Sequence, residues 1–131
     1  MDKLTEIMDW KRREVALRAR PVRPRELSSL GERMRVGLSF HDALANPGQL
    51  SVIAEIKRKS PSAGSIAEGI SAVEQARAYL NAGAEAMSVL TDEEFFGGKL
   101  EDLWEVNDFI RNHQRETPTI TSGHRAHWLN L

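Results

Sequence analysis

The spacing of apolar residues changes from a helical to an extended period part-way along this chain. Over residues 3–19, Leu4, Ile7, Met8 and Val15 recur at helical spacing until Pro21 ends the run, which predicts a first helix. Pro24 with Arg25-Glu26-Leu27 opens a second short helix, because proline suits a first helical turn. Ser39–Ala45 predicts a third, stopped by Asn46-Pro47-Gly48. Val52–Lys57 then reads as a short buried strand, and residues 58–70 as a polar loop punctuated by Pro61, Gly64 and Gly69. Ser71-Ala72-Val73-Glu74 has the capping-box pattern, so a helix begins there and runs to about Asn81, with Gly83 as its stop. Ala86–Leu90 is a second strand, followed by an acidic, aromatic loop to Gly98 and a helix from about Leu100 to His113. Leu103, Val106, Phe109 and Ile110 form the buried stripe of that helix. Pro118-Thr119-Ile120 is read as the start of a third strand. Strand, helix, strand, helix with short connections predicts βαβ units and a parallel sheet, the α/β class.

Composition narrows the reading without redirecting it. The 131 residues are 40% hydrophobic and 28% charged, ordinary for one globular domain. No cysteine is present, which excludes disulfides and thiolate metal sites. The charged N-terminus lacks the apolar core of a secretory signal, and no apolar run approaches the ~20 residues of a membrane span. A cytoplasmic location, with neither membrane nor nucleic acid as partner, is therefore expected. Residues 1–37 carry a net +4 against −5 for the remainder, but acidic residues are interspersed among the basic ones. Lys11-Arg12-Arg13, Arg18, Arg20, Arg23 and Arg25 are accordingly read as a solvated helix face. His124 and His127 have no third ligand nearby in sequence, and no metal site is expected.

The chemistry concentrates at the end of the first strand. Glu55 and Lys57 are two apart and point to the same side of it. Opposite charges on one face of an apolar strand form either a structural ion pair or an acid/base pair at a strand's carboxyl end, where barrel enzymes place their catalytic groups. Ser60-Pro61-Ser62 with Gly64 is a turn on its own terms, and Phe95 and Phe96 read as apolar cover under a loop.

Two stretches about thirty residues apart carry a resemblance. Ala54-Glu55-Ile56-Lys57-Arg58-Lys59-Ser60-Pro61-Ser62 and Ser88-Val89-Leu90-Thr91-Asp92-Glu93-Glu94-Phe95-Phe96-Gly97-Gly98 resemble the first two strand–loop units of indole-3-glycerol-phosphate synthases, (β/α)8-barrel enzymes of tryptophan biosynthesis. The resemblance spans roughly residues 3–118. It implies a decarboxylative ring closure on a phosphorylated small-molecule substrate, without metal or organic cofactor. It also implies that Glu55 and Lys57 are catalytic, that Ser60 binds substrate at the mouth of the site, and that Phe96 walls the anthranilate ring. Trp10 lies in the stretch corresponding to the family's N-terminal extension and is read as core or lid.

A closed barrel needs ~250 residues. The expected organisation is therefore an N-terminal helical extension over 1–50, the first βα units of an incomplete barrel over 51–118, and a divergent, irregular tail over 119–131. After Pro118 the family continues into a Leu-Arg-Lys-Asp-Phe-like segment whose lysine is its principal general acid. This tail has no such lysine, as after a shift of reading frame. An inactive fragment is thus expected. The alternatives are a non-catalytic remnant that associates through open sheet edges, and another phosphate-handling barrel enzyme. The nine-residue run from Ala54 to Ser62 opposes the last.

Overall fold

The computed structural model describes residues 2–33, 40–116 and 127–130. Contacts divide the chain into two compact units, residues 1–37 and 38–131. The division falls before residue 50, where the helical extension was expected to end. The cause is helix α3 (Phe40–Leu44), which lies against strands of the second unit. Asn46 and Ser51 fasten the turn after it: the Asn46 amide donates to the Ala43 carbonyl and to Ser51 Oγ, and Ser51 Oγ donates to the Leu44 carbonyl.

The first unit holds α1 (Lys3–Ala16) and α2 (Pro24–Arg33). Asp2 caps α1 by accepting from the Thr5 N–H at 2.8 Å. The solvated face of α1 is laced by Lys3–Glu6, Arg12–Asp9 and Lys11–Glu14 pairs one turn apart. No residue of α1 is buried, and Leu4, Met8 and Val15 of the stripe that set its period are exposed.

The second unit is built on a three-stranded sheet, β1 (Ile53–Ile56), β4 (Ala86–Val89) and β5 (His127–Asn130), in the order β1-β4-β5. Both pairings are parallel. Helix α4 (Ala72–Asn81) joins β1 to β4, and α6 (Leu100–Glu116) follows β4. The α/β class and the parallel arrangement expected from the element order are thus present, without a closed barrel. The proposed strand start at Pro118-Thr119-Ile120 lies outside the described residues. Residues 127–130, expected to be irregular, form β5. Four residues are too few to reveal a period, and β5 exists through its pairing with β4 rather than through its own propensity. The loop over 58–70 also contains a small antiparallel hairpin, β2 (Lys59–Ser60) with β3 (Gly64–Ser65).

Alternation along the strands decides which residues meet the helices. Ile56, Met87 and Val89 pack with Ala72 and Ala76 of α4 and with Val106 and Ile110 of α6, all essentially inaccessible. Tyr79, Leu80, Leu103 and Phe109 close the margin of this core. The capping box of α4 is present: Ser71 Oγ accepts from the Glu74 N–H at 3.1 Å, and the Glu74 carboxylate accepts from the Ser71 N–H at 2.7 Å. These bonds, the Ser71 N–H foremost, hold the Glu74 carboxyl below its ordinary 4.5. A depressed folded-state value gives stability that is complete above the unfolded pKa and is lost as pH falls through the folded one. We therefore expect amide exchange in the first turn of α4 to accelerate as pH drops below about 4.5, after correction for intrinsic rates. Glu74→Gln should remove that acid-dependent step, and a Glu74→Gln profile identical to wild type would refute it. Among the described residues, no helix is long and apolar enough to cross a membrane.

Candidate active site

The face of the sheet turned away from α4 and α6 carries the charged pair. Because Ala54 and Ile56 turn toward the helices, Glu55 and Lys57 turn away from them. Lys57 Nζ lies 2.8 Å from Glu55 Oε1, with side chains 30% and 41% exposed, so the pair is half-buried rather than solvated. Lys57 follows the last residue of β1 and so stands at the carboxyl end of the parallel strands. In open parallel sheets and barrels alike that end gathers ligand-binding groups. Register sets Glu55 beside Ser88, a buried polar residue on the same face.

The opposite wall comes from the segment after β4. A one-turn helix, α5 (Glu93–Phe96), occupies what the sequence suggested was a loop. Asp92 caps it, its carboxylate accepting from the Phe95 N–H at 2.7 Å and from the Phe96 N–H at 3.3 Å. Gly97 ends it with φ of 65°, the left-handed conformation that favours glycine. A methyl group on Gly98 would overlap the Leu90 carbonyl oxygen, so the chain folds back tightly onto the end of β4. These constraints bring the Phe96 ring to Lys57, whose Nζ lies 6.0 Å from the ring centroid. Phe95, its neighbour, is buried.

Ser60 belongs to β2, which lies against α5. Its hydroxyl accepts from the Ala63 N–H at 3.0 Å and sits 3.4 Å from Ser62 Oγ. The hydroxyl thus helps shape the hairpin turn. Glu55, Lys57 and Phe96 are brought into one cluster, with the Ser60 hairpin packed on the element that carries Phe96. Trp10 belongs to the first unit and is 41% exposed there. His124 lies outside the described residues, and no group of three metal-ligating side chains occurs among those described.

Four supporting residues were not anticipated. Tyr79 donates its hydroxyl to the Glu55 carbonyl at 3.2 Å, on the edge of β1 opposite β4. Asp92 caps α5, a role signalled by an acidic residue before a glycine-ended tetrapeptide. Arg58 pairs with Asp102 at 2.7 Å, 44 positions away, and no local pattern announces such a pair.

The profile of the indole-3-glycerol phosphate synthase family matches residues 4–116. The chain belongs to that family. The indole-3-glycerol phosphate synthase of Opitutus terrae is 52% identical over 127 residues, covering 96% of this chain and 48% of the relative. The synthase of Oceanobacillus iheyensis is 43% identical over 107 residues, covering 82% of this chain and 39% of the relative. That of Aquifex aeolicus is 41% identical over 108 residues. The chain spans half or less of the length of these curated synthases. All four candidate residues, Glu55, Lys57, Ser60 and Phe96, lie inside the family match. A match covering 96% of the chain also runs past Pro118, where departure from the family was expected.

Proposed function

We propose that this chain forms the first portion of a (β/α)8 barrel that performs the indole-3-glycerol phosphate synthase reaction. The substrate of that reaction is 1-(2-carboxyphenylamino)-1-deoxyribulose 5-phosphate. The ring carbon bearing the carboxylate attacks the ketone carbon, whose oxygen takes up a proton. Carbon dioxide then leaves with its bonding electrons returned to the ring, and loss of water gives the indole. Such a sequence needs a cation for the carboxylate, an acid at the ketone oxygen, and an apolar wall for the ring. Lys57 serves as the cation and assists proton transfer. Glu55 orients Lys57. Phe96 flanks the aromatic ring, and Ser60 lines the mouth.

The observation that carries this reading is the Glu55–Lys57 pair at the carboxyl end of β1 with the Phe96 ring beside it. No lysine follows Lys99, so this chain offers no counterpart to the family's third-strand acid. The test is a fusion of residues 1–116 to the remaining C-terminal part of the Opitutus terrae relative, assayed for indole formation by fluorescence. Turnover is expected. A folded but inactive fusion would refute the assignment.

The free edge of β1 favours a second reading, in which the chain pairs with another copy of itself. Glu55 presents its carbonyl on that edge, where among the described residues only Tyr79 reaches it. Ile53 of the strand, and Leu50 and Val52 in the segment leading into it, stand exposed. Sedimentation should then show concentration-dependent dimers that Ile53→Lys weakens; a monomer at every concentration would exclude this reading.

A further inference from the structure

Arg58 follows Lys57 and points away from it, toward the helix side of the sheet. One of its guanidinium nitrogens donates to the Ile70 carbonyl at 2.6 Å, just before α4. The other donates to Asp102 Oδ1 at 2.7 Å, in the first turn of α6. Asp102 is one of two buried polar residues among those described, and its second oxygen accepts from the Lys99 N–H at 3.0 Å. The Arg58 carbonyl accepts from the Ile66 N–H at 2.8 Å, where the hairpin returns. A β-carbon built on Gly97 would lie 3.4 Å from Arg58 Cβ, so the stem of Arg58 runs alongside the end of α5. The Arg58 side chain therefore ties the end of β1 to the start of α4 and, through Asp102 and the Lys99 N–H, to the segment that follows Phe96, while its main-chain carbonyl holds the return of the hairpin that bears Ser60.

We infer that Arg58 and Asp102 are positioning residues, a clamp that holds the Lys57–Ser60 wall and the Phe96 wall at a fixed separation. The inference rests on the reading in which both walls face one substrate. A planar fork reaching two acceptors in different segments suits this task, and lysine cannot reproduce it. Because Asp102 is buried and Arg58 only partly exposed, bulk salt screens the pair less than a surface pair, and loss of Arg58 strands the Asp102 charge.

The test uses the 131-residue chain and nuclear magnetic resonance. The Phe96 ring displaces the Lys57 ε-methylene resonance, and Phe96→Leu measures that displacement. Arg58→Lys and Asp102→Asn should each reduce it by at least half. They should also accelerate amide exchange at Ala63 and Phe96 at least tenfold, while Met87 and Val89 keep wild-type rates. A displacement that survives in folded variants, or acceleration spread equally over all four amides, would reduce the pair to a stabilising contact and overturn the inference. Should neither variant fold, wild type decides. Segments joined by one clamp open together, so exchange at Ala63 and Phe96, corrected for intrinsic rates, should agree within tenfold, and a larger disparity overturns the inference. Inactivity of the fused enzyme with an intact clamp signature would count against the catalytic assignment alone.

Discussion

Lys57→Ala, made in the fused full-length protein, lowers the rate of ring closure by about 10²–10⁴-fold, the range typical for loss of a proton-transferring group. The side chain lies on the face of β1 turned away from the helices and contributes nothing to the apolar core. The substitution should therefore leave the circular dichroism spectrum and the melting midpoint nearly unchanged. Glu55 is the partner to compare. If Glu55 acts by orienting Lys57, then Glu55→Gln lowers turnover less than Lys57→Ala, and the double variant is no slower than Lys57→Ala alone. Phe96→Ala should mainly raise KM, because the role proposed for it is contact with the bound ring rather than proton movement. A fall in turnover matched by loss of the folded spectrum would make Lys57 a structural residue. The 131-residue chain by itself should give no detectable ring closure. Positioning in reacting geometry is worth several kcal/mol in well-oriented systems, and no lysine after Lys99 is available as the second acid. Turnover by the chain alone that Lys57→Ala abolishes would show that the two strand–loop units suffice.

Gly98→Ala should lower the melting midpoint by ~10 °C, for a cost of about 3 kcal/mol at the upper end of overpacking. The added methyl group would overlap the Leu90 carbonyl oxygen, and backbone cannot rotate out of the way as a side chain can. The segment from Thr91 to Lys99 would have to lift from the end of β4, taking Phe96 with it. In the fused enzyme the same substitution should lower turnover. Gly31→Ala is the control: it lies within α2, a methyl group there meets nothing within 4 Å, and alanine is the better helix former. Its expected effect is neutral or slightly stabilising. Equal responses of the two variants would remove the close approach at Gly98 as the cause.

The elements of the second unit were legible because each is announced by neighbours in sequence. The Ser71–Glu74 capping box marks the start of α4. The stripe of Leu103, Val106, Phe109 and Ile110 marks the buried side of α6, and the two apolar runs mark β1 and β4. The spacing of Glu55 and Lys57 likewise dictated that they share a face, since a strand alternates every residue. What sequence could not decide depends on residues far apart in the chain. β5 forms because β4 offers an edge, not because four residues prefer to be extended. Helix α3 joins the second unit through contacts with strands more than forty positions away, and this shifted the division of the chain to Gly37. The Arg58–Asp102 pair and the approach of Phe96 to Lys57 arise only once β1 and β4 lie side by side in register. Local pattern determined which residues are strand, helix and candidate chemistry. The parallel register of β1 with β4 decided which of those residues meet, because the distance between the two walls is set across the sheet and not along the chain.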